Sequence, residues 1–309
     1  MSDRSAAVEA LVPPAAVGFI GLGQMGRPMA ACLIKAGFAV AAFDAAEAAR
    51  RSFEEASGVP AAQSAASACR DVAAVITMLP NGAIVREVLY GTAGQGGLAA
   101  AAPGTVVIDM SSSSPIDTRA LARELEPLGF PLVDAPVSGG VKRAVDGSLA
   151  IMAGGETGAI DRIRPLLNAM GKSIFPTGPL GSGHAMKALN NYVSAAGLAA
   201  AAEAIIIGGR FGLDPEIIVD VLNASTGRNN STEVKMKQQV LSGGFASGFA
   251  MGLMTKDLHT AADIARHIGV AAPLASVCEA LWAEAGEKLG AAADHTEIYR
   301  YLAELEDTP

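Results

Sequence analysis

The stretch VGFIGLGQMGRPMAACLIKAG, residues 17–37, decides the fold. An apolar run typical of a buried strand leads into three glycines, and a stretch with helical character follows them. The G-x-G-x-x-G spacing between a strand and a helix is typical of a dinucleotide-binding turn. Its first glycine permits the tight turn, its second lets a pyrophosphate approach the backbone, and its third lets helix and strand pack closely. We therefore expect a dinucleotide to contact the turn residues Gly21, Gly23, Gln24, Met25 and Gly26.

An acidic residue closes the next apolar run, FAVAAFD at residues 38–44. Asp44 at this place is expected to accept hydrogen bonds from the adenosine ribose. A carboxylate there repels a 2′-phosphate, so the pattern favours NAD over NADP. Arg50 and Arg51 follow about two turns later and leave NADP possible.

Short apolar runs alternate with helical stretches through the first part of the chain. The alternation predicts a Rossmann-like α/β domain with a parallel sheet that helices cover on both faces. After residue 178 the sequence becomes rich in alanine with helical periodicity, which predicts an all-α domain. We expect three segments: a flexible tail at 1–14, a dinucleotide-binding domain at 15–178, and a helical substrate and oligomerisation domain at 179–309. The predicted strands are AVGFI near 15–20, FAVAAFD at 38–44, VAAVITML at 72–79, TVVID at 105–109, PLVDAP at 131–136, LAIMAGG at 149–155 and GKSIFPTG at 171–178.

Composition excludes several classes of protein. A net charge of −8 and the lack of a Lys/Arg-rich run argue against a nucleic-acid-binding surface. The three cysteines are far apart and form no CxxC pair, which favours free thiols in a reducing compartment. The first residues lack the apolar core of a signal peptide. Apolar stretches look interrupted before membrane-spanning length, so we expect a cytoplasmic protein with no membrane partner.

A second informative stretch is GSGHAMKALNN, residues 181–191, at the start of a long apolar helix. A lysine inside such a helix is costly to bury unless it is paired or has a lowered pKa. Helical spacing places one polar stripe on a single face, made of His184, Lys187, Asn190, Asn191 and Ser194. A polar stripe on an apolar helix is expected to face a cleft. Lys187 there can exchange a proton with a substrate hydroxyl or carbonyl.

The stretch DAPVSGG, residues 134–140, follows a predicted strand. A serine hydroxyl and two unobstructed glycine N–H groups suit an anionic carboxylate. Ser138, Gly139 and Gly140 are therefore candidate substrate-binding residues. The sequence offers no cluster of ligand residues for a metal.

Six ordered segments together resemble the β-hydroxyacid dehydrogenases, the group that includes 3-hydroxyisobutyrate dehydrogenase and tartronate semialdehyde reductase. The resemblance covers nearly the whole chain. It implies a Rossmann-like domain that binds the nicotinamide cofactor and a helical domain that completes the active site and the oligomer interface. The matching segments are GFIGLGQMGRPMA, MLPNGAIVREVLYG, DMSSSSP, DAPVSGG, GSGHAMKALNN and LMTKDLHTA.

The resemblance also implies roles for individual residues. Lys187 becomes the catalytic residue, with Asn191 beside it, and the Ser138–Gly140 stretch surrounds the substrate carboxylate. Lys256 is expected to approach both cofactor and substrate from the helical domain. The residues implied to line the cofactor cleft are Leu79, Pro80 and Ser112.

One segment departs from the family pattern. Where family members often carry a tryptophan after STGR, this chain reads STGRNNSTEVK, with Asn229 and Asn230. The substitution predicts a roomier or more polar substrate pocket with Asn230 in it. The expected reaction is hydride transfer between nicotinamide and a small β-hydroxy acid, such as 3-hydroxyisobutyrate, or its semialdehyde. A more polar semialdehyde like tartronate semialdehyde is an alternative substrate, and an imine reductase or a non-catalytic NAD-binding homologue remains a further alternative. The Ala- and Gly-rich helical domain predicts a homodimer or homotetramer.

Overall fold

The computed structural model describes residues 9–91 and 96–305, so most of the predicted tail at 1–14 lies outside the described residues. The chain divides into two compact units, Met1–Lys187 and Ala188–Pro309. The division falls inside one long helix, which begins at Ser182 and ends at Phe211. Each unit has its own hydrophobic core.

The first unit is built on one eight-stranded sheet in the order β2-β1-β3-β4-β5-β7-β6, with β8 paired to β7. Every predicted strand is present; β8 has the predicted bounds, and the others are shorter than predicted by one to four residues in total. The two-residue β6 was not predicted, because so short a strand leaves no periodic pattern. The strands are β1 (Ala16–Ile20), β2 (Ala39–Phe43), β3 (Ala74–Thr77), β4 (Val106–Asp109), β5 (Leu132–Asp134), β6 (Val137–Ser138), β7 (Leu149–Gly154) and β8 (Gly171–Gly178).

The predicted Rossmann-like fold with a parallel sheet is confirmed, and the sheet adds antiparallel pairing at one edge. Strands β1 to β5 pair in parallel. Strand β7 runs antiparallel to both β5 and β6, while β8 is parallel to β7. The apolar pattern of LAIMAGG indicates a buried strand but carries no information on its direction.

Both faces of the sheet are buried, as the alternation along its strands requires. Phe19, Ile76 and Ile108 pack into one core cluster. Their neighbours Ile20, Val75 and Val107 point the other way into a second cluster. The helices of this unit are α1 (Gly26–Lys35), α2 (Glu47–Ser57), α3 (Ala65–Cys69), α4 (Gly82–Leu89), α5 (Pro115–Leu125), α6 (Gly140–Val145), α7 (Thr157–Met170) and the first turns of α8 (Ser182–Phe211).

The second unit is helical, and its core surrounds the fully buried Trp282. Asp214 caps α9 by accepting the backbone N–H of Glu216, and Pro215 is the first helical residue. Helix α11 begins at Met251 and ends at His267, and its N-cap residue Ala250 makes no side-chain capping bond. The helices are α9 (Pro215–Ala224), α10 (Asn230–Val234), α11 (Met251–His267), α12 (Pro273–Leu289) and α13 (Ile298–Leu305), with a π-helical turn at Met236–Leu241.

Helix α8 is apolar and 30 residues long, so the expectation that every apolar stretch is interrupted before membrane-spanning length is wrong. Among the described residues it is the one helix whose length and hydropathy would suffice to cross a membrane. A core helix passes the same test, and 44% of its most apolar window is already buried inside the molecule. Its first turns also carry Lys187, Asn190 and Asn191.

Candidate active site

The glycine-rich turn joins β1 to α1, and two of its glycines are required by close backbone contacts. Gly21 has φ +104°, and a Cβ added there would lie 2.2 Å from the carbonyl oxygen of Met78 on the neighbouring chain segment. A Cβ on Gly26 would lie 1.8 Å from the carbonyl oxygen of Gly21. No side chain fits at either position, so the tight turn and the close helix–strand packing both depend on glycine.

The middle glycine is different, because open space lies above it. A Cβ built on Gly23 would meet no atom within 4 Å. Helix α1 starts just beyond it, and its N-cap residue Met25 makes no side-chain capping bond. First-turn N–H groups without a side-chain cap suit phosphate oxygens. Gly23, Gln24 and Met25 therefore form an accessible cradle that fits a dinucleotide pyrophosphate.

Asp44 lies directly after β2, at the same carboxyl-end edge of the sheet as the glycine turn after β1. One carboxylate oxygen accepts the backbone N–H of Leu22 at 2.7 Å, and the other accepts that of Ala46 at 2.8 Å. These bonds fix the orientation of the carboxylate and leave further lone pairs for a ligand. Arg50 is folded back onto this strand end, and its guanidinium donates to the carbonyl oxygen of Asp44 at 2.7 Å.

The residues after β3 and β4 are joined by one hydrogen bond. Leu79 donates its backbone N–H to the hydroxyl of Ser111 at 2.9 Å. Leu79 also lies beside the glycine turn, since its side chain would be 3.1 Å from a Cβ on Gly21. Pro80 is exposed and Ser112 is half-buried. The structure thus brings Leu79 to the glycine turn at the carboxyl ends of the parallel strands, where α/β folds bind their ligands.

A buried polar network at the ends of β4 and β5 was missed by the sequence analysis. Asp109 ends β4 and accepts hydrogen bonds from the hydroxyls of Thr77 and Ser113 and from the N–H of Ser111. Asp134 ends β5 and is fully buried. Burial raises the pKa of the Asp134 carboxyl, and the nearby His184 opposes that rise.

Asp134 anchors the first turn of α8. Its two carboxylate oxygens accept the backbone N–H groups of Gly181 and His184, each at 2.7 Å. A carboxylate in this place satisfies helix N-terminal donors from a different element. Gly183 is also required, since a Cβ there would lie 2.2 Å from the carbonyl oxygen of Met152. Asp109 and Asp134, the first residues of the DMSSSSP and DAPVSGG segments, were visible in the sequence. Nothing in the local sequence, however, pairs either of them with His184.

The Ser138-Gly139-Gly140 stretch joins β6 to α6. Gly139 has φ +134° and Gly140 has φ +67°, so both have backbone conformations that favour glycine. A Cβ on Gly139 would collide with the side chain of Arg143, whereas one on Gly140 would meet nothing within 4 Å. Gly140 is therefore open to a ligand, as the carboxylate-binding prediction requires, while Gly139 is constrained by its neighbour.

Lys187 closes the first unit, one helical turn after the buried His184. It is half-buried on α8, and its neighbour Met186 is exposed. Asn191 lies one turn further along the same helix, among the first residues of the second unit. The predicted polar stripe therefore exists as a helix face, although its members differ in burial: His184 and Asn191 are buried and Asn190 is exposed.

In the second unit Asn191 is paired with an aspartate that sequence reasoning passed over. Its side-chain N–H donates to the carboxylate of Asp257 at 2.5 Å. Its amide oxygen accepts from Asn190 at 3.1 Å. The ammonium of Lys256 lies 3.5 Å from the other oxygen of Asp257. Asp257 is 3% exposed, so the structure brings Asn191 and Lys256 together around one buried carboxylate.

The Asn229–Asn230 pair is divided between two roles. Asn229 caps α10 by accepting the N–H groups of Ser231 and Thr232. Its amide also contacts α8, 3.4 Å from the carbonyl oxygen of Gly197. Asn230 is the exposed first residue of α10. Asn229 is thus structural, and Asn230 is the one of the two that a ligand could reach.

A second buried cluster follows α10. The ammonium nitrogen of Lys235 lies 3.0 Å from Nε2 of His295, which is 2% exposed. Burial, together with the charge of Lys235, lowers the pKa of His295 to about 4. Burial also lowers the pKa of Lys235. Within residues 9–91 and 96–305, no group of three His, Cys, Asp or Glu side chains is arranged to hold a metal ion.

Two family models match the chain in succession. The NAD-binding domain of 6-phosphogluconate dehydrogenase matches residues 16–178. The NAD-binding domain of NADP-dependent 3-hydroxyisobutyrate dehydrogenase matches residues 181–302. The first match covers the sheet-containing part of the chain, and the second covers α8 to α13.

Characterised relatives match over almost the full length. The 2-(hydroxymethyl)glutarate dehydrogenase of Eubacterium barkeri is 39% identical, over 89% of this chain and 90% of its own. The 3-sulfolactaldehyde reductase of Escherichia coli is 36% identical, over 88% and 90%. The structure of Mycobacterium tuberculosis 3-hydroxyisobutyrate dehydrogenase with L-serine superposes with a TM-score of 0.85 at 36% identity, over 93% of this chain and 99% of its own. The chain therefore belongs to the β-hydroxyacid dehydrogenase family of NAD(P)-dependent oxidoreductases.

Proposed function

We propose that this protein transfers a hydride between nicotinamide and a small β-hydroxy acid, or its semialdehyde, with Lys187 as general acid and base. The observation that carries the proposal is the anchoring of Lys187. The turn before it is tied by Asp134 to the carboxyl end of β5. The glycine cradle lies at the carboxyl end of β1 in the same sheet. The helix turn before Lys187 and the glycine cradle are thus both held at the carboxyl ends of strands in one sheet.

When bound, the nicotinamide supplies or accepts the hydride. In oxidation Lys187 takes the proton of the substrate hydroxyl, and in reduction it returns a proton to the carbonyl oxygen as that oxygen gains charge. Asn191 is oriented by its bond to Asp257 and keeps one further amide N–H for a substrate oxygen. Asn191 thus serves the site as a fixed hydrogen-bond donor.

The substrate we propose carries an anionic group next to the reacting carbon. Ser138 and the open Gly140 offer a hydroxyl and N–H groups to that anion. Lys256 adds a positive charge on the helical side. The two relatives act, by name, on 2-(hydroxymethyl)glutarate and on 3-sulfolactaldehyde, both anionic. The exposed amide of Asn230 favours a more polar substrate, of the tartronate semialdehyde kind, over 3-hydroxyisobutyrate.

NAD is the cofactor we expect this chain to prefer. The fixed carboxylate of Asp44 would repel a 2′-phosphate and accept ribose hydroxyls. The positive charge of Arg50 is not directed at a 2′-phosphate, because its guanidinium donates to the carbonyl oxygen of Asp44 and lies over the ring of Phe43. Asp44→Ala should therefore reduce the preference for NAD, measured as the ratio of kcat/KM with NAD to that with NADP.

The test of the lysine is a pair of variants. Lys187→Ala should abolish turnover while NAD still binds in calorimetry, because the general acid and base is lost but the cradle is intact. Lys172→Ala, at an exposed lysine of β8, is the matched control and should keep wild-type turnover. Turnover retained by Lys187→Ala would contradict the mechanism. A panel of short hydroxy acids, semialdehydes and cyclic imines assayed with NAD and NADP then identifies the substrate class, and dinucleotide binding without turnover of any of them would indicate a non-catalytic NAD-binding homologue.

We further propose that residues 15–178 bind the dinucleotide, that residues 179–309 complete the substrate side, and that the chain forms a homodimer or homotetramer in the cytoplasm. The three free cysteines suit a reducing compartment. Exposed apolar side chains of the helical unit supply a surface for a second copy, and light scattering that found only monomer would refute it. These side chains are Val193, Ile207, Phe211, Leu213, Ile217, Val221, Ile268, Val270, Leu274 and Val277.

A further inference from the structure

Two neighbouring cations follow the Ser138–Gly140 stretch in the sequence and belong to α6. Lys142 and Arg143 are both exposed on this six-residue helix. In an α-helix the Cβ atoms are tilted towards the N-terminus, so a side chain covers the residues three and four positions before it. For Lys142 and Arg143 those residues are the Ser138–Gly140 stretch.

The contacts of Gly139 show this placement directly for Arg143. A Cβ added to Gly139 would lie 2.5 Å from Cδ of Arg143, 3.1 Å from its Cγ and 2.9 Å from its Cβ. The aliphatic stem of the arginine therefore packs along Gly139. Because the guanidinium follows directly on Cδ, its positive charge lies beside the stretch to which the substrate carboxylate is assigned.

Neither cation is neutralised by the protein. Within residues 9–91 and 96–305, the ammonium of Lys142 and the guanidinium of Arg143 have no hydrogen-bond or ion-pair partner. Asp146 stands four and three positions after them, where an acid commonly pairs with a helical cation, but it pairs with neither. In a protein whose net charge is −8, α6 thus keeps two uncompensated positive charges beside the predicted anion site.

Arg143 is well suited to hold an anion. Its planar guanidinium can donate two parallel hydrogen bonds to one carboxylate. Packing along Gly139 already restricts the stem, so less side-chain entropy is lost when the guanidinium binds a ligand. The carboxylate next to the reacting carbon has the hydroxyl of Ser138 and the open Gly140 as its expected partners. The two cations therefore remain for a second anionic group.

We propose that the substrate carries a second carboxylate and that Arg143, assisted by Lys142, binds this carboxylate, which is the one farther from the reacting carbon. The proposal rests on the proposed function, in which the Ser138–Gly140 stretch binds the first carboxylate. The substrate class is then a small β-hydroxy diacid or the matching semialdehyde. Arg143 determines specificity in this site, because it selects dianions over monoanions by contacting the remote end of the substrate.

Calorimetry with unreactive acids tests the preference without turnover. Glutarate and valerate have carbon chains of equal length and differ in one carboxylate, and each is titrated into the NAD-loaded full-length protein. Glutarate should bind at least about fivefold tighter, since a partly exposed ion pair contributes about 1 kcal/mol. Succinate with butyrate, and adipate with hexanoate, repeat the comparison for shorter and longer chains. Equal affinity within every pair would overturn the proposal.

Salt provides a readout that needs no variant. Raising the ionic strength from about 0.01 M to about 1 M shortens the Debye length from about 30 Å to about 3 Å. The preference for the diacid should therefore shrink towards equal affinity. A preference that salt leaves unchanged would not be electrostatic and would overturn the proposal.

Variants then assign the preference to Arg143. Arg143→Met keeps an unbranched stem along Gly139 and removes the charge, so the diacid preference should fall at least about threefold. Arg143→Lys keeps the charge and should retain most of the preference. Arg70→Met, at an exposed arginine after α3, is the matched control and should leave the preference unchanged. A full diacid preference in Arg143→Met would overturn the assignment.

These experiments are separate from the test of the lysine. Binding of unreactive acids requires no hydride or proton transfer, so an Arg143-dependent preference for diacids would stand even if Lys187→Ala kept its turnover. In the opposite case, loss of turnover in Lys187→Ala together with equal binding of diacids and monoacids would leave the proposed function in place and refute the second carboxylate site.

Discussion

In the glycine turn, replacing Gly26 by alanine and replacing Gly23 by alanine should damage different properties of the protein. Gly26→Ala places a methyl group 1.8 Å from the carbonyl oxygen of Gly21, which is backbone and cannot rotate away. Gly23→Ala places the same methyl group where no atom lies within 4 Å. We expect the first change to damage the fold and the second to damage cofactor binding alone.

The magnitudes follow from the two environments. Overpacking of this kind costs about 1–3 kcal/mol, and the better helix propensity of alanine returns at most about 1 kcal/mol. At the severe end of that range the net loss for Gly26→Ala is about 2 kcal/mol, which lowers Tm by about 4–8 °C for a unit of this size. Gly23→Ala should change stability by no more than about 0.5 kcal/mol. It should weaken NAD binding at least about tenfold, which is about 1.4 kcal/mol.

The assay combines thermal unfolding of the apoprotein with calorimetric titration of NAD. Each variant is the other's control, because both add one methyl group to the same turn. Wild-type affinity for NAD in Gly23→Ala would refute the assignment of the cradle. An unchanged Tm in Gly26→Ala would refute the packing argument.

Two further predictions concern the helical unit. Burial and Lys235 lower the pKa of His295 from 6.5 to about 4, so as the pH falls the unfolded chain protonates this histidine before the folded chain does. The free energy of unfolding should therefore fall by about 3 kcal/mol as the pH drops from about 6.5 to 4. His295→Asn should flatten this part of the curve of stability against pH, measured by urea titrations at a series of pH values. Asn191→Ala removes the 2.5 Å donor of the buried Asp257 and should cost about 1.5–3 kcal/mol in the same titrations, whereas its exposed neighbour Asn190→Ala should cost less than about 1 kcal/mol. Equal losses in the two asparagine variants would contradict the pairing with Asp257.

Much of the nucleotide-binding half could be predicted from sequence, because its signals are local. A glycine turn is defined by residues a few positions apart, and the φ of +104° at Gly21 and the closeness of Gly26 to Gly21 follow from that spacing. Buried strands also identify themselves by apolar runs. An apolar run does not reveal the direction of its strand, so nothing in LAIMAGG indicated that β7 runs antiparallel to β5.

The polar networks could not be predicted, because their members meet only in the folded chain. Asp134 and His184 are fifty positions apart, and Asn191 and Asp257 are sixty-six apart. Sequence reasoning found one member of each pair, His184 and Asn191, as part of a polar helix stripe. Nothing local indicates which distant carboxylate each would meet.

The sequence by itself determined where the strands, the glycine turn and the lysine-bearing helix lie, since each depends on short-range backbone sterics and hydrophobic periodicity. Tertiary structure alone decided which charges are buried together around that helix. Burial sets the free energy of a charge through its surroundings, and long-range packing chooses those surroundings.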